Sequence, residues 1–211
     1  MNAEPLPLVW SYGYGVLDEQ NHTLSNYQDL PFCDGSQYQG GRVVPDPALG
    51  WVFLTADGGH PGNDHKHVAV MRWTAPETMT VSVSGTLSHD KEPGDGVRGH
   101  IFATGKLIAG PWNIHQTAAS TDVKSVDVQK GDTLDFVVDI YRLLNHDSFS
   151  WSPTIVQQVE TATAGANPNK QARSWNYTQD FQSLESPALA ITPLQNVAQV
   201  LLMSNEFHFV D

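Results

Sequence analysis

The run Met79-Thr80-Val81-Ser82-Val83-Ser84-Gly85-Thr86-Leu87 sets apolar residues at odd positions against small hydroxyl residues at even ones. Successive side chains of a strand point to opposite faces, so this period of two predicts a half-buried antiparallel strand with one wet face. Leu134, Phe136, Val138 and Ile140 alternate in the same way with Asp135, Val137 and Asp139. Shorter apolar runs cover 51–54, 68–73, 97–104, 123–128 and 149–156. The breaks between them, Gly58-Gly59, Pro61-Gly62, Pro93-Gly94-Asp95-Gly96 and Lys130-Gly131-Asp132, carry turn chemistry. Many short strands with no helical period over residues 1–160 predict an all-β chain, a β-sandwich of the jelly-roll kind.

The pattern changes after residue 160. Thr161-Ala162-Thr163-Ala164-Gly165-Ala166-Asn167-Pro168-Asn169-Lys170 reads as the start of a linker. Thr192-Pro193-Leu194-Gln195 then has a hydroxyl N-cap, a proline at the first helical position and a glutamine three residues on, which is a capping box. Leu194, Val197, Ala198 and Leu201 follow at helical spacing and predict an amphipathic helix over 193–206. A helix near the ~12–15 residue margin does not stand alone in water, so it docks on the sandwich or on a neighbouring domain. The expected organisation is a sandwich at 5–160, a linker at 161–191, and a C-terminal helix and tail at 192–211.

Twenty-three acidic against 11 basic residues leave a net charge of −12. That balance excludes nucleic acid and anionic membranes as partners, because neither is held without a basic surface. The single cysteine, Cys33, has no internal disulfide partner and is expected to be a small buried hydrophobe. No apolar stretch approaches the ~18 residues of a membrane span. The opening MNAEPLPLVW has no basic n-region, so no signal peptide is expected in it.

Six Trp and six Tyr exceed what a core of this size requires. Sugar rings stack their C–H faces on flat aromatic side chains, while amides, carboxylates and Arg hydrogen-bond the hydroxyls. The candidate ligand-binding aromatics beside turns are Tyr12, Tyr14, Tyr38, Trp112 and Trp151, with Trp10 and Tyr141 of the same type. Arg98 and His100 share one strand face and join them, as does His60, although such a face is also ordinarily solvated. Trp51 and Trp73 lie inside apolar runs and are expected in the core.

For metals, His60, His65 and His67 with Asp64 crowd eight residues, a set that zinc or copper would accept. Asp95, Asp139 and Asp147 are oxygen donors in loops of the kind that hold calcium. Catalysis has less to stand on. There is no Gly-x-Ser-x-Gly elbow and no base near Cys33 in sequence, while Asp135, Asp139 and Asp147 are close without a spacing that selects acids. The chain is expected not to be an enzyme.

Several blocks in order have the look of one family. They are Trp10-Ser11-Tyr12-Gly13-Tyr14-Gly15, Gly50-Trp51-Val52-Phe53-Leu54, Gly58-Gly59-His60-Pro61-Gly62 and Arg72-Trp73-Thr74-Ala75-Pro76. Gly94-Asp95-Gly96-Val97-Arg98, residues 131–139 and 147–153, and the terminal 198–211 continue the series. Together they resemble the β-sandwich module near the end of large secreted planctomycete proteins that also carry a cytochrome c domain. The resemblance implies a C-terminal fragment of an exported protein, periplasmic or on the cell surface, and a module similar to carbohydrate-binding modules. The function expected is non-catalytic binding of a polysaccharide or oligosaccharide. The alternatives are a structural or protein-interaction module assembling a cytochrome-linked complex with neighbouring domains of the parent chain, and a metal-dependent enzyme domain.

Overall fold

The structure, a computed structural model, describes residues 9–159 and 172–182. In chain order the strands are β1 (Trp10–Asp18), β2 (Thr23–Asp29), β3 (Phe32–Cys33), β4 (Gln37–Gln39), β5 (Phe53–Thr55) and β6 (Gly58–His60). There follow β7 (Val68–Thr74), β8 (Met79–Ser84), β9 (Thr86–His89), β10 (Val97–Ala103), β11 (Lys106–Ile114) and β12 (Thr117–Ser120). The last are β13 (Val123–Val128), β14 (Thr133–Asp139), β15 (Phe149–Trp151), β16 (Thr154–Gln157) and β17 (Ser174–Asn176), which runs into a short helix, α1 (Tyr177–Asp180).

The strands pair antiparallel in three sheets. The first, in the order β2-β1-β7-β14-β10-β11, curls until β11 meets β2 at the pair Lys106 and Thr23. The second runs β12-β9-β15-β6-β5-β4-β3, and the third runs β13-β8-β16-β17. One face of the first sheet supplies Trp10, Met71, Trp73, Ile101, Leu134 and Phe136 to the main core. The other two sheets supply Leu54, Leu87, Trp151, Val81, Val83 and Ile155 to the same core. The molecule is therefore a β-sandwich, as the period-two pattern predicts.

The details depart from that pattern in five places. The run 79–87 is two strands, not one. Val81 and Val83 pair in the third sheet, and after Gly85 the chain crosses to pair Leu87 in the second. A Cβ on Gly85 would stand 3.2 Å from both Thr121 Oγ1 and Trp151 Nε1, so the crossing uses a residue without one. The run 149–156 likewise splits between β15 and β16 at Ser152-Pro153.

Along β14 the polar face is not wet. Asp135, Val137 and Asp139 are all buried, because the curl of the first sheet closes over them with Leu17, Leu24, Val68, Val70 and Phe102. Trp51, expected in the core, is 40% exposed beside the β5 strand. Finally, residues 174–180 lie within the expected linker but form β17 and α1, with Tyr177 fully buried against the sandwich. The remaining linker residues 161–171 and 183–191, and the expected helix at 193–206, lie outside the described residues. Among the described residues no helix is long and apolar enough to cross a membrane.

Candidate functional site

A cleft of about 630 Å³ opens beside the segment 173–182. Its walls include Trp10, Trp175 and Phe181, with Arg173, Gln179 and Asp180 among the polar residues. Each is placed by a local device. Pairing of β17 with β16 sets Trp175 opposite Ile155, where its ring packs on Trp73 at 5.2 Å. The Arg173 guanidinium lies over the same ring at 5.4 Å, and its Nε donates to Gln157 Oε1 at 3.3 Å. Arg173 also pairs with Glu77.

Asn176 caps α1 by accepting from the Gln179 N–H at 2.9 Å, and its own N–H donates to Asp180 Oδ2 at 2.9 Å. The helical turn is tied to the sheet below: Tyr177 donates to the Thr55 carbonyl at 3.0 Å and Thr178 to the Ala56 carbonyl at 2.7 Å. A cleft that joins aromatic faces to a guanidinium, an amide and a carboxylate has the mixed lining of a small-ligand site, which typically spans about 300–1,000 Å³.

Two of the sequence candidates support this cleft from beneath. Tyr12 and Tyr38 stack at 4.4 Å, and Phe181 packs on Tyr12 at 4.7 Å. The Tyr12 hydroxyl accepts from the Gln182 N–H at 3.0 Å, while Tyr38 donates to the Gln182 carbonyl at 2.7 Å. Burial pushes the Tyr12 hydroxyl up to about 12, so it stays protonated. These rings hold the wall of the cleft and do not form its open surface.

Arg98, His100 and Asp139 also meet, on the inner face of the curled sheet. Asp139 accepts from His100 Nε2 at 2.8 Å, from Arg98 at 3.1–3.2 Å and from the Tyr141 N–H at 2.7 Å. Arg98 pairs in addition with Glu19, which His65 Nδ1 approaches at 3.3 Å. Burial acts to raise the Asp139 carboxyl, but His100 and Arg98 together outweigh it and hold the group below the usual carboxylate range. The cluster satisfies its own charges, and His100 is buried beside Phe102.

The other candidates disperse. Trp151, expected beside a turn at the surface, is 1% exposed: it shares the inward face of β15 with Phe149, and its Nε1 donates to Thr121 Oγ1 at 3.0 Å. Trp10 is buried too, although it lines the cleft. Trp112 is half-buried and packs edge-on to Trp151 as a satellite of the core. Tyr14 is half-buried and donates to Gln28 Oε1 at 2.9 Å. His60 is buried, its Nδ1 donating to the Pro61 carbonyl at 2.6 Å, and burial lowers its pKa.

His60 therefore does not converge with His65, which faces Glu19, or with His67, which faces Asp64 at 2.9 Å. Among the described residues no three His, Cys, Asp or Glu side chains are gathered to hold a metal ion. Asp95 and Asp147 fix neighbouring loops through the Leu143 and Asn145 N–H groups, and share none of the hydrogen bonds of Asp139. Cys33 is buried, as expected of a small hydrophobe. The terminal stretch 194–209, which would favour a protein partner, lies outside the described residues.

Trp175 and Phe181 were not among the sequence candidates. The available signal was Trp175-Asn176-Tyr177, two aromatics at strand spacing around an N-cap residue, inside a stretch that otherwise reads as linker.

No family model and no curated protein matches the chain. Among solved structures it is similar to a family 35 carbohydrate binding module from an environmental isolate, at 13% identity and a TM-score of 0.31, covering 78% of this chain and 97% of that one. It is similar to a family 35 carbohydrate binding module from Clostridium thermocellum at 9% identity and a TM-score of 0.28, covering 42% and 69%. The PA14 domain of the antifreeze protein MpAFP matches at 14% identity and a TM-score of 0.32, covering 77% and 90%. Likeness at this level transfers neither a ligand nor an activity.

Proposed function

We propose that the domain is a non-catalytic glycan-binding module whose cleft at Trp175 receives part of a neutral polysaccharide. The observation that carries this reading is the lining of the cleft: half-buried Trp175 and Phe181 beside Arg173, Gln179 and Asp180. Aromatic faces supply the stacking surface, and the planar polar groups supply donors and acceptors for hydroxyls. A net charge of −12 disfavours polyanionic chains and so points to neutral ones. The resemblance of the sequence blocks to the planctomycete module extends the reading to an exported parent chain that the module tethers to polysaccharide at the cell surface or in the periplasm.

Affinity electrophoresis against neutral and acidic polysaccharides tests it. The expected result is retardation by at least one neutral polymer, weakened about tenfold in Trp175→Ala, a loss of about 1.4 kcal/mol. A thermal melt of the variant confirms that it is folded. No retardation across the panel, or retardation unchanged in the folded variant, would overturn the reading.

A further inference from the structure

We propose a cation site outside the cleft, in which the carboxylates of Asp95 and Asp147 hold one calcium ion between the loops 93–96 and 143–147. The Asp147 side chain has no solvent exposure. Its Oδ2 accepts from the Asn145 N–H at 2.9 Å, while its Oδ1 is buried with no hydrogen-bond partner. Asp95 repeats the arrangement: Oδ1 accepts from the Leu143 N–H at 3.3 Å, and Oδ2 is buried with no partner. Two carboxylates thus each use one oxygen to fix the loops and leave the other unsatisfied inside the protein.

The loops themselves are in direct contact. Gly94 has φ +97°, and a Cβ there would stand 2.1 Å from the Asn145 carbonyl oxygen. The His146 carbonyl accepts from His89 Nε2 at 2.8 Å, which anchors the second loop to β9. Among the described residues the basic partner nearby in sequence, Arg98, is committed to Asp139 and Glu19, and no basic side chain pairs with Asp95 or Asp147.

A buried carboxylate without a positive partner is strongly disfavoured, and a bound cation is the remedy that also satisfies the orphan oxygens. Consistent with an unmet negative charge, burial pushes Asp147 up to about 6, and the charges of Asp95 and Asp139 add to the effect. The donors are oxygens only and sit on irregular loops. That suits calcium, which accepts six to eight oxygens in flexible geometry and draws the remainder from main-chain carbonyls and water. Magnesium demands a near-octahedral shell and suits it less.

The test uses the whole chain after chelator treatment, with calcium or magnesium added back. Calcium is expected to raise the melting midpoint by about 5 °C or more at saturation, and titration calorimetry is expected to give one ion per chain. Asp95→Asn and Asp147→Asn are each expected to weaken calcium binding at least about tenfold, whereas Asp64→Asn, at an exposed loop position, leaves it unchanged. Should Asp147→Asn not fold, Asp95→Asn decides by calorimetry. The proposal is overturned by no calcium response, by an equal response to magnesium, or by unchanged binding in Asp95→Asn. It is also overturned if Asp147→Asn is more stable than the parent with no cation response in either, which would mean that the two carboxyls share a proton. None of these readouts involves a sugar, so the site stands or falls apart from the glycan reading.

Discussion

Asp135 and Asp139 are four residues apart on one face of one strand, yet their surroundings drive them in opposite directions. Burial dominates at Asp135 and raises it despite two hydrogen bonds from Arg72, at 2.6 and 2.9 Å. At Asp139 burial is outweighed by His100 and Arg98, and the group is lowered. The sign for stability follows from the direction. Because Asp139 is more acidic folded than unfolded, its charged form stabilises the fold above the unfolded value of about 3.8, and that stability drains away as pH falls through the lower folded value. Denaturant unfolding between pH 2 and 7 should show this acid limb, and Asp139→Asn should flatten it. The same variant should lose about 3–5 kcal/mol at neutral pH, since it leaves Arg98 buried against a neutral amide. The alternation along 134–140 was legible in the sequence. That the polar members are buried was not, because a period reports two faces without saying what covers each.

At the scale of elements, the segment 172–182 shows how a short piece acquires structure from its neighbours. A strand of three residues and a helix of four are too short to reveal a period, so their composition reads as linker. Their order comes from pairing with β16, from the Asn176 cap and from Tyr177, which fills the core and meets Trp10 at 5.3 Å. Tyr177→Phe should cost about 1 kcal/mol for the lost bond to the Thr55 carbonyl. Tyr177→Ala should cost about 3–5 kcal/mol, as for other large core aromatics. Urea titrations of the two variants check the contrast; equal effects would mean that the ring adds nothing beyond its hydroxyl. The split at Gly85 has a related cause. The alternation continues through 79–87, and only the strand pairing shows that the chain changes sheets there, where Gly85 lies close against Thr121 and Trp151.

For the molecule as a whole, charge and cleft make separate demands on a ligand. If stacking in the cleft dominates, affinity for a neutral polysaccharide should change by less than about twofold between about 0.05 and 0.5 M salt, because screening acts on charges and hardly on apolar contact. Repeating the affinity measurement across that range checks it, and a steep salt dependence would instead mark a charged ligand. Sequence alone determined the all-β class and the apolar positions that became the main core, since periodicity and hydrophobicity are properties of residues in order. It also brought forward Tyr12, Tyr38, Arg98, His100 and Asp139 as residues of interest. Only the tertiary structure decided that Tyr12 and Tyr38 brace a cleft 170 and 144 residues away at Gln182, that Trp151 is core, and that Asp139 answers to Arg98 and His100 while Asp95 and Asp147 keep unmatched oxygens. The reason is physical: burial and charge partners are set by what the closing sheets bring together, and those contacts join positions far apart in the chain.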